Sequence, residues 1–451
     1  MKVVFDNSLK IAGLALVPWN RLGPENWLPN YKIASLYDWD SADSQGLPGL
    51  FNVDSGKVTS KLDKFNTTSL LKTKEFEDLL KTKLTGYDLL TYKPVHVPDS
   101  LSSFRFLMSS SHIAKAYENK VQFRDKLKSE LTFPEFEISN ISDLKLVKAS
   151  YSYFKDKWGK FILQDEKMSG SKGSFVIVSS SDYNKAITAL AQQETDRQVV
   201  ISEFIEDAVE FSVQGCVTNN KVFLGPLQRQ IIKHDVLCNP SLSGDKFCGA
   251  TILKSDQNTN LHKETQKSAE IIGQHLQNDG YKGVFGVDFL LSQSGNLYTL
   301  EVNPRLTGLT PLLSALYREG HVPFYLLHIL ELGGYNYQIT DETVNFESEG
   351  GILVLHSIKP GATKVENSLK SGTYSLVDKQ LKWLNGQVKL KNLSNNEFIV
   401  QNFVTKGLTI KPGGRLTVIY FNRGIIDKNT NKLYNYVLKV AQDVQDNIEV
   451  V

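Results

Sequence analysis

The chain has 451 residues, of which 41% are hydrophobic and 22% charged, and its formal net charge at pH 7 is +2. This length exceeds what one hydrophobic core can organise and predicts roughly three domains. Because positive and negative charges nearly balance, the composition does not favour binding to nucleic acid or to an anionic membrane surface. Partners therefore have to be inferred from motifs.

The cysteines and the apolar runs indicate the cellular compartment of the protein. Cys216, Cys238 and Cys248 form no CxxC pair, and no secretory signal pattern is present. This usage suits a reducing cytoplasm and argues against a zinc site. The apolar run at 11–17 is far too short to cross a bilayer. We therefore expect a soluble, cytoplasmic protein without a membrane partner.

The first third of the chain predicts a small domain followed by a helix. Residues 1–111 mix short apolar runs with turn-rich stretches, which favours an α/β domain, and they contain no phosphate loop. A helix is predicted from Ser111, ended by Pro134, because apolar residues recur there at helical spacing. Its basic residues, including Lys120 and Arg124, are most simply a solvated face.

A loop of small residues lies within 161–178, between two predicted strands. Its glycines and serines let backbone N–H groups approach phosphate oxygens. It is not a Walker loop, because GK[ST] is absent and a strand follows. A flexible hairpin turn is the alternative interpretation. The loop residues are Ser169, Gly170, Ser171, Lys172, Gly173 and Ser174.

The most informative stretch is 283–305, which predicts a β-hairpin. Residues 284–291 and 297–302 are rich in β-branched and aromatic residues, with turn residues between them. A turn centred on Ser294 and Gly295 places Asp288 opposite Glu301. Alternation then puts Asp288, Glu301 and Asn303 on one face. The other face is expected to be core, and comprises Val287, Phe289, Leu291, Tyr298, Leu300 and Val302.

The two carboxylates on one face of this hairpin indicate a cation site. A like-charge cross-strand pair is unfavourable by itself and becomes favourable when a cation lies between the charges. Two carboxylates and an amide oxygen suit Mg²⁺ or Mn²⁺. The alternative is a solvated sheet face with two acids that happen to be opposite each other.

Asp288, Glu301, Asn303 and Arg305 at this spacing resemble the metal-binding hairpin of the ATP-grasp superfamily, and the run EVNPR is its most recognisable part. The resemblance implies an α/β (α+β ATP-grasp) fold. It implies an α/β pre-grasp domain at 1–111, an ATP-grasp domain at 112–336 with a hinge near 198–206, and a mostly β domain at 337–451. In that family the acids and the amide hold Mg²⁺ on ATP, and the arginine steadies the transferred phosphoryl group.

The same resemblance implies nucleotide contacts along the chain. Asn119 and Lys120 with Arg124 are similar to the family's Asn-Asp-Lys helix, the small-residue loop would cover the phosphates, and the hinge would contact adenine. The implied ATP-binding residues are Lys120, Gln164, Lys167, Ser169, Gly170, Ser171, Lys172, Gly173, Glu203, Phe204, Ile205 and Glu210. Arg229 and Lys233 join Arg305 as catalytic candidates. Gln164 departs from the family, which often has a lysine there, because glutamine supplies no charge.

The implied function is an ATP-dependent carboxylate–amine ligase acting on an amino acid or peptide. The reaction would proceed through an acyl phosphate, with release of ADP and phosphate, and the partners would be a small-molecule or peptide carboxylate and an amine acceptor. Two alternatives stay open: a carboxylase-like enzyme that uses bicarbonate, and a catalytically silent ATP-binding protein, suggested by Gln164. The oligomeric state is also open, with a homodimer as one option.

Overall fold

The computed structural model describes residues 1–35, 50–52, 67–146, 150–168, 173–192, 197–239, 241, 247–317, 320–378, 380–448 and 450. The predicted residues Ser169, Gly170, Ser171 and Lys172 lie outside this part of the chain.

The N-terminal region forms a parallel sheet. Its strands are β1 (Lys2–Phe5), β2 (Ile11–Ala15), β3 (Lys32–Ser35), β4 (Leu50–Asn52), β5 (Asp88–Leu90) and β6 (Phe106–Leu107), and its helices are α1 (Thr67–Leu70) and α2 (Lys74–Lys83). Five of these strands form the parallel sheet, in the order β4-β3-β2-β5-β6, and β1 is not part of it. Strand β2, with the sequence IAGLA, is buried along its whole length, as a central parallel strand covered on both faces should be.

The next region is an antiparallel sheet with helices around it. Its elements are α3 (Ser111–Glu118), α4 (Lys120–Leu127), β7 (Phe136–Asn140), α5 (Ile141–Leu146), α6 (Ser150–Trp158), β8 (Phe161–Asp165), β9 (Ser174–Ile177), α7 (Ser180–Ala191) and β10 (Gln198–Glu203). The strand order is β7-β10-β8-β9. The single helix predicted from Ser111 is in fact two, because Asn119 leaves helical geometry and caps α4 with its side chain.

The third region contains the hairpin predicted from the sequence. Its elements are β11 (Val209–Val217), β12 (Val222–Ile232), β13 (Phe247–Ile252), α8 (Asn260–Asn278), β14 (Gly283–Leu291), β15 (Leu297–Asn303), α9 (Thr310–Ala315), α10 (Phe324–Gly333) and β16 (Tyr337–Asp341). Helix α8 packs its apolar residues on one face of the sheet, against Phe211, Val287 and Phe289. The opposite face is therefore free to carry polar side chains.

The C-terminal region is mostly β, as predicted. Its elements are β17 (Gly350–His356), β18 (Thr363–Lys364), β19 (Gly372–Val377), β20 (Gln380–Asn385), β21 (Glu397–Asn402), β22 (Thr409–Ile410), β23 (Arg415–Phe421), β24 (Ile426–Asp427), β25 (Lys432–Leu433) and α11 (Asn435–Asp446). Strand β17 pairs with β13, so within the described residues a continuous ten-stranded sheet runs β15-β14-β11-β12-β13-β17-β23-β21-β19-β20. Strand β16 lies outside this sheet and pairs with β1.

The hairpin register differs from simple alternation at one point. Asp288 pairs with Glu301 as predicted, but the ladder shifts by one residue before Phe289, which pairs with Thr299. Such a bulge moves the remaining side chains to the other face. Thr299 is therefore buried against the core, and the core prediction for Tyr298 and Leu300 is wrong. No described helix is long and apolar enough to span a bilayer.

Candidate active site

The acidic pair lies on the face of the sheet opposite helix α8. Asp288 on β14 faces Glu301 on β15, and two amides approach them. The amide nitrogen of Gln230 donates to Asp288 Oδ1 at 2.6 Å, and that of Asn303 donates to Asp288 Oδ2 at 2.9 Å and to Glu301 Oε1 at 3.4 Å. Burial, with the Glu301 carboxylate beside it, raises the pKa of Asp288 above its ordinary value.

These residues fit a hard divalent cation. Asn303 Nδ2 now lies between the two carboxylates, and a half-turn of the same amide would present its oxygen to a cation there. Among the described residues no group of three His, Cys, Asp or Glu side chains is placed to hold a metal. Two carboxylates and one amide oxygen would leave half of the octahedral positions of Mg²⁺ to water and phosphate oxygens.

Two basic side chains flank the pair. Lys120, at the first position of α4, places Nζ 3.8 Å from Glu301 Oε2 and donates to the Met168 carbonyl at 2.8 Å. Arg305 donates to Asn303 Oδ1 at 2.7 Å, and its Nε lies 3.3 Å from Glu118 Oε1. Burial lowers the pKa of Arg305, but Tyr92, Glu118 and the acidic pair outweigh it, so the pKa is raised.

A third cation stands beside Gln164. Arg124, one turn after Lys120 on α4, is only 2% exposed and donates through Nη2 to Gln164 Oε1 at 2.9 Å. Its Nε and Nη1 have no hydrogen-bond partner among the described residues. Burial lowers the pKa of Arg124 to about 10, against an opposing effect of Glu301. The position of Gln164 thus has a positive charge next to it.

Residues 117–309 match the family model for the ATP-grasp domain. The chain contains an ATP-grasp domain. The match includes the acidic pair, Asn303, Arg305, Lys120, Arg124 and Gln164.

Two curated proteins are similar in sequence to about a third of this chain. The carbamoyl phosphate synthase large chain of Renibacterium salmoninarum is 26% identical over 147 residues, which are 32% of this chain but 12% of the relative. The corresponding protein of Paenarthrobacter aurescens is 25% identical over 145 residues, again 12% of its length. This chain therefore matches only a small part of each relative.

Solved structures are similar over nearly the whole chain. The biotin carboxylase domain of the 2-oxoglutarate carboxylase from Hydrogenobacter thermophilus aligns with a TM-score of 0.62 and 10% identity, covering 98% of this chain and 91% of that one. The N5-carboxyaminoimidazole synthase of Aspergillus clavatus aligns with a TM-score of 0.55 and 16% identity, covering 98% of both chains. At such identities the likeness shows the fold alone, and the predicted ATP-grasp fold is confirmed.

The remaining nucleotide candidates lie along the ATP-grasp domain. Glu203 ends β10, and Phe204 after it carries the Lys160 ammonium 3.8 Å above its ring. Ile205 is half-buried, and Lys167 pairs with Glu166 at 3.0 Å. Gly173 lies so close to Met168 and Asp165 that a Cβ would meet theirs at 2.6 and 2.8 Å, which explains the need for glycine.

Glu210 lines a cleft of about 650 Å³ next to the hinge. Gln230, the partner of Asp288, also lines this cleft. The opposite wall comes from the C-terminal hairpin β24–β25, including Asp427, Asn431 and Lys432. The cleft therefore holds both the predicted nucleotide residue Glu210 and Gln230, which donates to Asp288.

The structure does not bring Arg229 to the acidic pair. Its neighbour Gln230 faces Asp288, so Arg229 points to the other side of the sheet, where it stacks over Phe211. There it forms a two-bond ion pair with Asp256, at 2.6 and 2.8 Å. Lys233 follows β12 with an exposed side chain and a φ of 55°.

Sequence reasoning missed Gln230, Tyr92 and Glu118. Alternation along β12 separates Gln230 from Arg229, but only the register with β11 and β14 decides which of the two shares a face with Asp288. Tyr92 and Glu118 reach Arg305 from distant parts of the sequence. No local pattern marks either residue.

Proposed function

We propose that this protein is an ATP-dependent carboxylate–amine ligase that uses Mg²⁺. The observation that carries the proposal is the pair of carboxylates Asp288 and Glu301, with Asn303 beside them and Lys120 and Arg305 on either side. Phosphoryl transfer needs positioning and charge neutralisation more than covalent catalysis by the protein. This set of side chains supplies both.

The proposed reaction has two steps. A substrate carboxylate oxygen attacks the γ-phosphorus of ATP, the bond to the β-phosphate oxygen breaks, and an acyl phosphate and ADP result. An amine nitrogen then attacks the acyl carbon, phosphate leaves, and the nitrogen loses a proton. We expect the amine and the carboxylate to come from an amino acid or short peptide.

Each charged side chain has a distinct role in the first step. Asp288, Glu301 and Asn303 would hold Mg²⁺, which neutralises phosphate charge when bound. Lys120 would contact a phosphate oxygen, a role supported by the position of its ammonium beside Glu301 and the Met168 carbonyl. Arg305 is oriented by Asn303 and Glu118, so its planar guanidinium can face the charge that develops during transfer.

Bicarbonate in place of the organic carboxylate is the second candidate. The relatives favour it: one matched protein is a carbamoyl phosphate synthase, and a similar solved structure contains bicarbonate together with MgADP. The same side chains would serve, because bicarbonate also attacks phosphorus through a carboxylate oxygen. The product would then be carboxyphosphate.

Release of ADP from Mg²⁺ and ATP tests these options with the purified chain. The ligase predicts turnover only with a carboxylate, and an amide-type product only when an amine is added; amino acid and dipeptide pairs form the screen. Turnover with bicarbonate alone would favour the carboxylase-like reaction. Tight ATP binding without ADP release under any of these conditions would contradict both and favour a silent ATP-binding protein.

A further inference from the structure

Two arginines from distant parts of the chain stack on Tyr92, and a third lies in the same region. Arg21 and Arg305 place their guanidinium carbons 5.3 and 5.5 Å from the centre of the Tyr92 ring, and Arg305 donates to its hydroxyl at 3.1 Å. Arg415, at the start of β23, stacks over Phe403, and the carbonyl of the preceding Asn402 accepts from the indole N–H of Trp19, two residues before Arg21, at 3.0 Å. The cluster lies beside the acidic pair, because Arg305 also bonds Asn303.

Two of these cations have no acidic partner in the part of the chain that the structure describes. Arg305 is paired with Glu118, but Arg21 and Arg415 make no ion pair with any residue that the structure describes. Arg21 is 4% exposed, and its Nε has no hydrogen-bond partner in the described chain. The nearby Glu25 carboxylate accepts instead from the Gly23 backbone N–H at 2.7 Å.

Arg415 differs from Arg21 in being open to solvent. Its guanidinium stacks over Phe403 at 5.3 Å, and its side chain remains accessible. Even so, desolvation by the surrounding protein lowers the pKa of Arg415. An accessible guanidinium stacked on a buried ring is open to a ligand from solvent.

We propose that Arg21 and Arg415 bind a carboxylate or phosphate group of the acceptor substrate. The substrate would then be a small anion that carries this acidic group in addition to the reacting group held near Arg305. Guanidinium groups bind such oxyanions through two parallel hydrogen bonds. Stacking on Tyr92 and Phe403 accounts for the packing of these arginines but gives neither a counter-charge among the described residues. For Arg21, which is 4% exposed, such an unpaired buried charge is costly.

The inference rests on the proposed function for the identity of the ligand as a substrate, but the anion site can be tested separately. Orthophosphate is the probe, added to the full chain in the presence of saturating Mg²⁺ and a non-hydrolysable ATP analogue, which fills the nucleotide phosphate positions. Sodium chloride at equal ionic strength is the reference. Binding is measured by calorimetry and by thermal shift.

Two variants and a matched control decide the outcome. Arg21→Gln and Arg415→Gln should each raise the apparent Kd for orthophosphate about tenfold or more, as loss of a charge-assisted contact predicts. Arg105→Gln removes the same charge from an exposed side chain that pairs with Asp88, and should leave the Kd unchanged. Unaltered affinity for the ATP analogue shows that each variant is folded. Arg415 is accessible, so its variant remains informative if Arg21→Gln fails to fold.

Either of two results would contradict the proposed anion site. No response of the wild type to orthophosphate beyond that to sodium chloride would overturn the inference, and so would equal responses of the wild type and Arg415→Gln. If the ATP analogue itself does not bind, the proposed function fails, and the orthophosphate series without analogue still tests the two arginines.

Discussion

At the scale of single residues, the site is an arrangement of charges that balance only when ligands are present. Asp288 and Glu301 repel each other, and Asn303 Nδ2 moderates that repulsion. Arg124 has two N–H groups without a partner in the described chain. A cation would offset the repulsion between the two acids, and an anion would accept hydrogen bonds from the arginine. Mg²⁺ together with the ATP phosphates would satisfy both.

Glu301→Ala should abolish ADP release and leave the metal-free fold at least as stable as wild type. The substitution relieves a like-charge pair, and the ion pair it removes, with Lys120 at 3.8 Å, is long. Turnover and thermal unfolding of the purified variant measure the two effects. Glu130→Ala, which removes an exposed acid paired with His275, is the control and should keep normal turnover. Near-normal turnover of Glu301→Ala in Mg²⁺ would refute the metal assignment.

Arg124→Met should weaken ATP binding by about tenfold or more while leaving the ligand-free protein as stable as before, or more so. Methionine keeps apolar contact with Phe133 and Phe136, over which the guanidinium now lies. ATP titration and chemical unfolding are the measurements. Lys126→Met, on the exposed side of the same helix, is the control. Lower stability with unchanged ATP affinity would mean that Arg124 only supports Gln164.

At the scale of elements, the break between α3 and α4 positions Lys120, the proposed phosphate contact. Asn119 accepts hydrogen bonds from the Val121 and Gln122 N–H groups at 3.0 Å, and its amide nitrogen donates to Glu166 at 2.9 Å. One residue thus starts α4, fixes Lys120 at its first position and ties both to the segment after β8. A continuous helix would not turn Lys120 toward Glu301.

Asn119→Ala should therefore cost both stability and ATP affinity. Loss of the cap should lower the free energy of unfolding by about 1 kcal/mol. Ser110→Ala removes the equivalent cap of α3 and is the matched control, because Ser110 accepts from Ile113 N–H and does not hold Lys120. Both variants should unfold more easily, and only Asn119→Ala should raise the Kd for ATP. Equal ATP affinities in the two variants would contradict the positioning role.

At the scale of the whole molecule, the site is assembled from parts that are far apart in sequence. Strand β17 extends the grasp sheet into the C-terminal region, and β24–β25 closes one wall of the cleft that contains Glu210. The N-terminal region contributes Tyr92 to Arg305. Ligands that bind this site should therefore stabilise the entire chain.

Mg²⁺ and ATP together should raise the Tm more than either alone. Each binds the native state, and a ligand at a hundred times its Kd adds about 2.7 kcal/mol to the free energy of unfolding. Thermal unfolding with each ligand, both, and neither gives the comparison. The Glu301→Ala variant should retain the effect of ATP alone and lose the added effect of Mg²⁺. Equal Tm shifts with and without Mg²⁺ in the wild type would argue against a joint site.

The sequence alone was sufficient for features whose cause is local. Asp288 opposite Glu301 follows from turn residues and period-two alternation, and the run EVNPR identified the ATP-grasp resemblance. Tertiary structure decided the rest. Alternation in β12 separates Arg229 from Gln230, but only pairing with β11 decided which of them lies on the face of the acidic pair. The bulge beside Asp288 placed Thr299, and not Leu300, on the core face of β15. Arg124 beside Gln164 and Arg21 over Tyr92 are contacts between distant segments, so burial and charge at those positions depend on packing that no local pattern encodes.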